Sequence, residues 1–218
     1  MGEDDADGAV KELPGQSGTD PEILEPESGQ DLLEPGVSLA VEAVERAGAR
    51  ATIAGPLPAD GLFVSEGTGA IDLVMAPDDP NLLFAAMWEC ERKAWGAFFG
   101  GPEGGIYRSR DGGETWTKTL GDEEYTGVTD LVMDPRDPDV LYAATWQHHR
   151  TVAAYMGGGP KTRIHRSDDG GLTWRPVTTG LPKEAMGKIG LAISPQKPDV
   201  VYAAIELKRR TGGVWRSA

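Results

Sequence analysis

A single cysteine, Cys90, stands in 218 residues, which rules out an intrachain disulfide and a cysteine-rich metal centre. Histidine is nearly as scarce, with His148, His149 and His165 the whole complement. Adjacent histidines on a strand point to opposite faces. No third ligand is spaced to join them, so neither a metal nor a cofactor is expected. Lys and Arg together number 21 against 35 acids, for a net charge of −14. Without a basic stripe to neutralise phosphates, nucleic acid is not an expected partner. No apolar run reaches the length that spans a bilayer as a helix, and the N-terminus is acidic where a secretory leader is basic and then apolar. G-x-S-x-G, P-loop and H-E-x-x-H patterns are absent.

What is plentiful is acid and glycine, unevenly spread. Residues 1–36 hold eleven acids and one base, Lys11. Acidic and poor in large apolar groups, that segment buries too little surface to offset its ordering entropy and is expected to be disordered. Residues 37–47 (VSLAVEAVERA) place Val37, Val41 and Val44 near one helical face, so a short helix is expected there, ended by Gly48. Residues 1–60 thus read as a tail, distinct from 61–218.

From about Leu62 the chain repeats itself. Gly69–Trp116 superposes on Gly127–Trp174 at an offset of 58 residues without a gap, and 24 of the 48 positions are identical. Each copy opens with a short apolar strand (Ile71–Met75, Leu131–Met133, Ile189–Ile193). A proline-rich turn follows at Pro77–Pro80, Pro135–Pro138 and Pro195–Pro198. A second strand comes next (Leu82–Trp88, Val140–Trp146, Val200–Ile205), then an insertion, then a third (Ile106–Ser109, Ile164–Ser167, Val214–Ser217). With a fourth strand after each tryptophan, every period supplies one four-stranded antiparallel blade. The fold class is therefore all-β, a partial β-propeller. Repeats fall near 69–126, 127–186 and 187–218, and 61–218 holds about 2.7 of them. Closed propellers have typically four to eight blades. The expectation is a piece of a longer propeller, its remaining blades in cis, or a homo-oligomer that closes the ring.

The third strand runs into Ser109-Arg110-Asp111-Gly112-Gly113-Glu114-Thr115-Trp116, which recurs as Ser167-Asp168-Asp169-Gly170-Gly171-Leu172-Thr173-Trp174. Ser109, Asp111, Gly113 and Trp116, with Ser167, Asp169, Gly171 and Trp174, read as structural. The aspartate accepts from turn amides, the glycines permit positive φ, and the indole covers the turn. These residues resemble the Asp-box, or BNR repeat, S-x-D-x-G-x-T-W, of sialidases, sortilin-type receptors and xyloglucanase-type glycoside hydrolases. With Thr126–Pro135 and Tyr142–Trp146, the resemblance is greatest to sortilin-like "glycosyl hydrolase" BNR-repeat proteins of bacteria. It implies a propeller and an exported protein. It implies no catalytic role for Asp111 or Asp169, since Asp-boxes lie away from the active site in sialidases. The arginine triad and Tyr–Glu pair of sialidases match no positions here.

In an up-and-down blade, the turns carrying these motifs lie on one side of the molecule. Insertions 89–105, 147–163 and 206–213 lie on the other, where propellers commonly bind. Two insertions open with the same pattern, Trp88-x-x-x-Arg92 and Trp146-x-x-x-Arg150, and Trp95, Phe98, Phe99 and Tyr155 add aromatic surface. Trp88, Arg92, Trp146 and Arg150 are therefore the candidate ligand-binding residues; the competing reading is an inter-blade structural contact. No catalytic residue is assigned. Acids on this side are Glu89, Glu91, Glu103, Glu123 and Glu206. The function expected is a non-catalytic binding or scaffold segment for protein, peptide or glycan. The alternative is a fragment of a propeller glycoside hydrolase whose carboxylates lie mostly elsewhere.

Overall fold

The computed structural model describes residues 61–93, 95–208 and 211–217. The acidic tail and the expected helix over 37–47 lie outside the described residues.

Two complete blades stand side by side. The first is built from β1 (Thr68–Ala76), β2 (Asp79–Lys93), β4 (Gly105–Ser109) and β5 (Thr117–Gly121). The second repeats the arrangement with β6 (Thr126–Asp134), β7 (Asp137–Gln147), β10 (Arg163–Ser167) and β11 (Arg175–Pro176). A third sheet joins β12 (Ile189–Ser194), β13 (Lys197–Ile205) and β14 (Gly213–Arg216) in the same antiparallel order. The fold is all-β, a partial propeller. The proline turns are tighter than the sequence implies. Ala76 pairs Asp79, Asp134 pairs Asp137 and Ser194 pairs Lys197, so only two residues lie in each turn. Pro80, Pro138 and Pro198 then sit second in their strands, close to the position at which a strand tolerates a missing donor.

Blades pack face to face. Phe84, Ala86 and Ile106 of the first meet Val128, Leu131, Met133, Leu141 and Ala143 of the second. On its other face the second blade offers Ala144 and Ile164 to Ile189, Ala203 and Ile205. Strand alternation sends Ala143 and Ala144 to opposite neighbours, and both are fully buried. Small side chains at both positions let the sheets approach closely on either side.

Polar clips reinforce each seam. A register shift in β1 between Ala70 and Asp72 re-aims Asp72. Its carboxylate accepts from Leu73 N at 2.9 Å and, across the seam, from Leu131 N at 3.0 Å. The second blade repeats both features. A shift between Val128 and Asp130 lets Asp130 accept from Leu191 N at 2.7 Å. At the corresponding place in β12 stands Gly190, and the strand runs there without a shift. Arg108 Nε adds another bond between blades, donating to Gly170 O at 2.7 Å.

The insertions depart most from expectation. Instead of loops, 89–105 and 147–163 consist in large part of strands. β2 continues to Lys93 and pairs β3 (Gly96–Phe99), which pairs β8 (His149–Thr151), which pairs β9 (Tyr155–Met156). This second antiparallel sheet projects from the blades and ties the first to the second.

Candidate functional site: the projecting sheet and its aromatic base

The turns and the platform lie at opposite ends of the blade strands, and they differ in chemistry. At the turns, Ser109 Oγ donates to Asp111 Oδ1 at 2.7 Å and accepts from Gly113 N at 2.9 Å. Asp111 accepts from Thr115 N at 2.9 Å and from the Thr115 hydroxyl. Ser167, Asp169, Gly171 and Thr173 repeat these bonds. Gly112, Gly113, Gly170 and Gly171 all have φ between 66° and 96°, the left-handed region that favours glycine. Trp116 Nε1 donates to Gly113 O at 2.9 Å, whereas Trp174 Nε1 crosses the seam to Thr119 Oγ1 at 3.2 Å. Held first by the threonine hydroxyls, both carboxylates titrate at about 2. A carboxylate engaged in this way is poorly suited to proton transfer near neutrality.

At the other end, strand alternation and the ladder place Trp88, Arg92 and Arg150 on one face. In a strand, positions two and four apart share a face, so Trp88 and Arg92 do. Arg92 lies opposite Ala97, Ala97 opposite Arg150, and Arg150 opposite Tyr155. A row Arg92–Ala97–Arg150–Tyr155 therefore crosses the whole platform. Both arginines are exposed, and Tyr155 is 67% exposed. Arg150 lies over the Tyr155 ring at 5.9 Å, a cation–π contact. The tryptophans form the base below this row. Trp88 and Trp146 stack with ring centroids 5.4 Å apart and planes 19° from parallel. Gly127 makes room, since a Cβ there would lie 2.7 Å from Trp88 Cε3. Trp146 Nε1 donates to Gly157 O at 3.0 Å. The repeated tryptophans thus meet each other across the seam, while the repeated arginines face outward. Beyond the arginines, at the tip of the β2–β3 hairpin, Trp95 is 61% exposed.

Two histidines belong to the same base. His148, buried, lies 4.2 Å from Trp146 and 4.6 Å from Phe99, ring to ring. Burial lowers its pKa. His149 packs on Tyr125 at 4.2 Å. His165 is apart from both, in the seam between the first two blades, where its Nε2 meets Thr145 Oγ1 at 3.3 Å. Among the described residues no group of three His, Cys, Asp or Glu is arranged to hold a metal ion.

Most of the acids on this side are engaged. Glu91 pairs with Lys93 at 2.9 Å. Glu103 accepts from Thr68 Oγ1 at 3.1 Å and from the Ser65 hydroxyl. Glu123 pairs with Lys161, and Glu206 accepts from Lys188 N at 3.3 Å. Glu89 differs, with a buried Oε2 that has no hydrogen-bond partner. The inter-blade aspartates Asp72 and Asp130 were missed by sequence reasoning. Their signal was present, the same Asp-Leu-Val-Met at the same place in both repeats.

No protein-family profile matches the chain. Over 126 residues it is 36% identical to xyloglucanase Xgh74A of Acetivibrio thermocellus, covering 52% of this chain and 14% of that protein. A xyloglucanase of Paenibacillus sp. is 31% identical over 128 residues, 53% of this chain and 11% of its own length. The chain thus matches well under a fifth of the length of either relative. Among solved structures, the GH74 xyloglucanase from Xanthomonas campestris superposes with a TM-score of 0.43 at 13% identity, over 66% of this chain and 28% of that one. An ancestral GH74 enzyme gives 0.40 at 15% identity, over 72% and 25%.

Proposed function

We propose that these blades are part of a xyloglucanase-type propeller glycoside hydrolase, and that their own contribution is to hold glycan on the projecting sheet. The observation that carries this reading is the 36% identity, over 126 residues, with a protein named as a xyloglucanase. A binding segment with no hydrolytic parent is the weaker reading, because both sequence relatives are named for a hydrolytic activity. The sortilin-like likeness of the motifs adds nothing to choose between them.

The site chemistry suits a polysaccharide. Exposed Trp95 and Tyr155 offer flat apolar faces to sugar rings, and Arg92 and Arg150 offer several N–H donors each to ring hydroxyls. Sheet pairing fixes the backbone of the row, so the ordering cost on binding falls on the side chains alone. Glycoside hydrolysis needs two carboxyl groups flanking the scissile bond. Glu91, Glu103, Glu123 and Glu206 each contact a neighbour, and Glu89 has a buried oxygen. No two of these acids stand out as a pair, and we assign the two groups to other blades of the propeller.

Retardation of the chain in gels containing xyloglucan, cellulose or starch tests the binding part. Retardation by xyloglucan is expected, and equal mobility in all three would count against it. Reducing-end release from xyloglucan by the longer polypeptide carrying these blades tests the hydrolytic part. Binding without turnover there would return the account to a binding module.

A further inference from the structure

Where the first two blades meet beneath the platform, a notch of about 90 Å³ opens between the starts of β4, β6 and β10 and the ends of β5 and β7. Gly104, Gly105, Gly121 and Gly127 form part of its wall, and Leu120 and Val128 give it an apolar side. Its ionisable groups are Glu123, Lys161, Arg163 and His165. Ligand pockets for drug-sized molecules are commonly about 300 Å³ or larger, so a whole sugar ring does not suit this one. A carboxyl group and its neighbouring carbon do.

Charge selects among small groups. The Thr145 hydroxyl has one proton, and it donates to Lys161 O at 2.7 Å. Thr145 Oγ1 also lies 3.3 Å from His165 Nε2. Burial first, and then the Arg163 charge, pull the His165 pKa down to about 4, so the ring is neutral at pH 7. Two cations, Lys161 and Arg163, therefore face one anion, Glu123. Arg163 is exposed, and its Nε donates to Pro160 O at 2.7 Å, a neutral partner. Glu123 already presents a carboxylate to Lys161. The protein itself thus shows which chemistry Lys161 accepts, and the pair is half-exposed and open to exchange, with the Glu123 and Lys161 side chains 46% and 40% exposed.

We propose that this inter-blade notch binds a carboxylate, as a small free acid or as the acid group of a uronic acid residue, held by Lys161 and Arg163. The ligand carboxylate takes the place of Glu123 on Lys161, and Glu123 turns to solvent. The proposal goes beyond the glycan row on the platform and uses none of its residues.

The chain has three histidines, so ring-proton NMR resolves His165, assigned with His165→Gln. Sodium acetate and sodium glucuronate are titrated at constant ionic strength, with chloride and glucose as controls. A saturable shift of the His165 resonance is expected with both carboxylates and with neither control. Glu123→Gln, which frees Lys161, is expected to tighten binding roughly tenfold, about the weight of one hydrogen bond to a charged group. Lys161→Met is expected to abolish it, with amide dispersion checking that each variant folds. Equal midpoints for the two acids would identify a small free carboxylate, and a lower midpoint for glucuronate a uronyl group. No saturable shift in either wild type or Glu123→Gln would overturn the proposal. So would a shift reproduced by chloride or retained in Lys161→Met.

Discussion

Gly171 shows how much one backbone position can carry. Its φ is +72°, and a Cβ there would lie 2.4 Å from Phe84 Cε1 in the neighbouring blade. Gly112 shares the conformation at φ +74°, but its nearest neighbour, Asn81 Oδ1, is 3.5 Å away. Gly112→Ala should therefore cost about 1 kcal/mol, the conformational penalty alone. Gly171→Ala should cost roughly 3 kcal/mol, because Phe84 must also move. Urea unfolding of the two variants separates these terms, and equal costs would show that Phe84 yields freely. The turn itself was legible in the sequence, since serine, aspartate and glycine at these spacings have a local hydrogen-bonding logic. The Phe84 contact was not, because it joins residues 87 positions apart in different blades. A second prediction belongs to His165. Burial holds it neutral down to a pKa of about 4, against an ordinary value near 6.5. The unfolded chain binds that proton more tightly, so stability is fully present above pH 6.5 and falls as the pH drops toward 4. His148, also lowered by burial, acts in the same direction. Midpoint denaturant concentrations across that window should fall with pH, and His165→Gln should flatten the slope.

Between elements, the seams depend on a device that alternating apolar patterns do not reveal. Asp72 and Asp130 each follow a register shift and each accept a backbone N–H from the next blade. Removing Asp130 leaves Leu191 N without its acceptor beside the buried cluster around Ile189. Asp130→Ala should cost about 1–3 kcal/mol. Asp130→Asn should cost less, because an amide oxygen still accepts and burial already raises the pKa of the carboxyl. Thermal unfolding of both variants checks the order, and the reverse order would mean that the charge, not the acceptor, matters. Strand order and the repeat were readable because each period carries the same turn and the same alternation. The platform was not. Its glycines, its tryptophan and its charged residues read as loop, and the hairpins β2–β3 and β8–β9 join into one sheet because β3 and β8 find each other across two blades. Pairing between insertions is a tertiary choice, which local propensity does not encode.

At the scale of the molecule, the two ends of the blades divide the work. The turns close their own hairpins through carboxylates that bind local backbone, and the platform carries the exposed aromatic and guanidinium groups. The four candidate residues lie at the same end of the blades but do not share a role. Trp88 and Trp146 are committed to each other, so Trp88→Ala should cost about 3 kcal/mol of stability as a large side chain is lost from a packed seam. Arg92 and Arg150 are exposed and should leave stability nearly unchanged when truncated together. Sequence could set the pattern Trp-x-x-x-Arg twice on the correct side of the fold. It could not separate base from rim, since that division depends on the approach of Gly127 to Trp88. The central claim, that the platform holds glycan, is tested most directly by calorimetric titration of xyloglucan oligosaccharides into the chain and its Arg92→Ala/Arg150→Ala variant. Saturable binding by the parent, weakened at least tenfold in the folded variant, is the expected result. No saturable heat in the parent, or the same affinity in both proteins, would contradict the account.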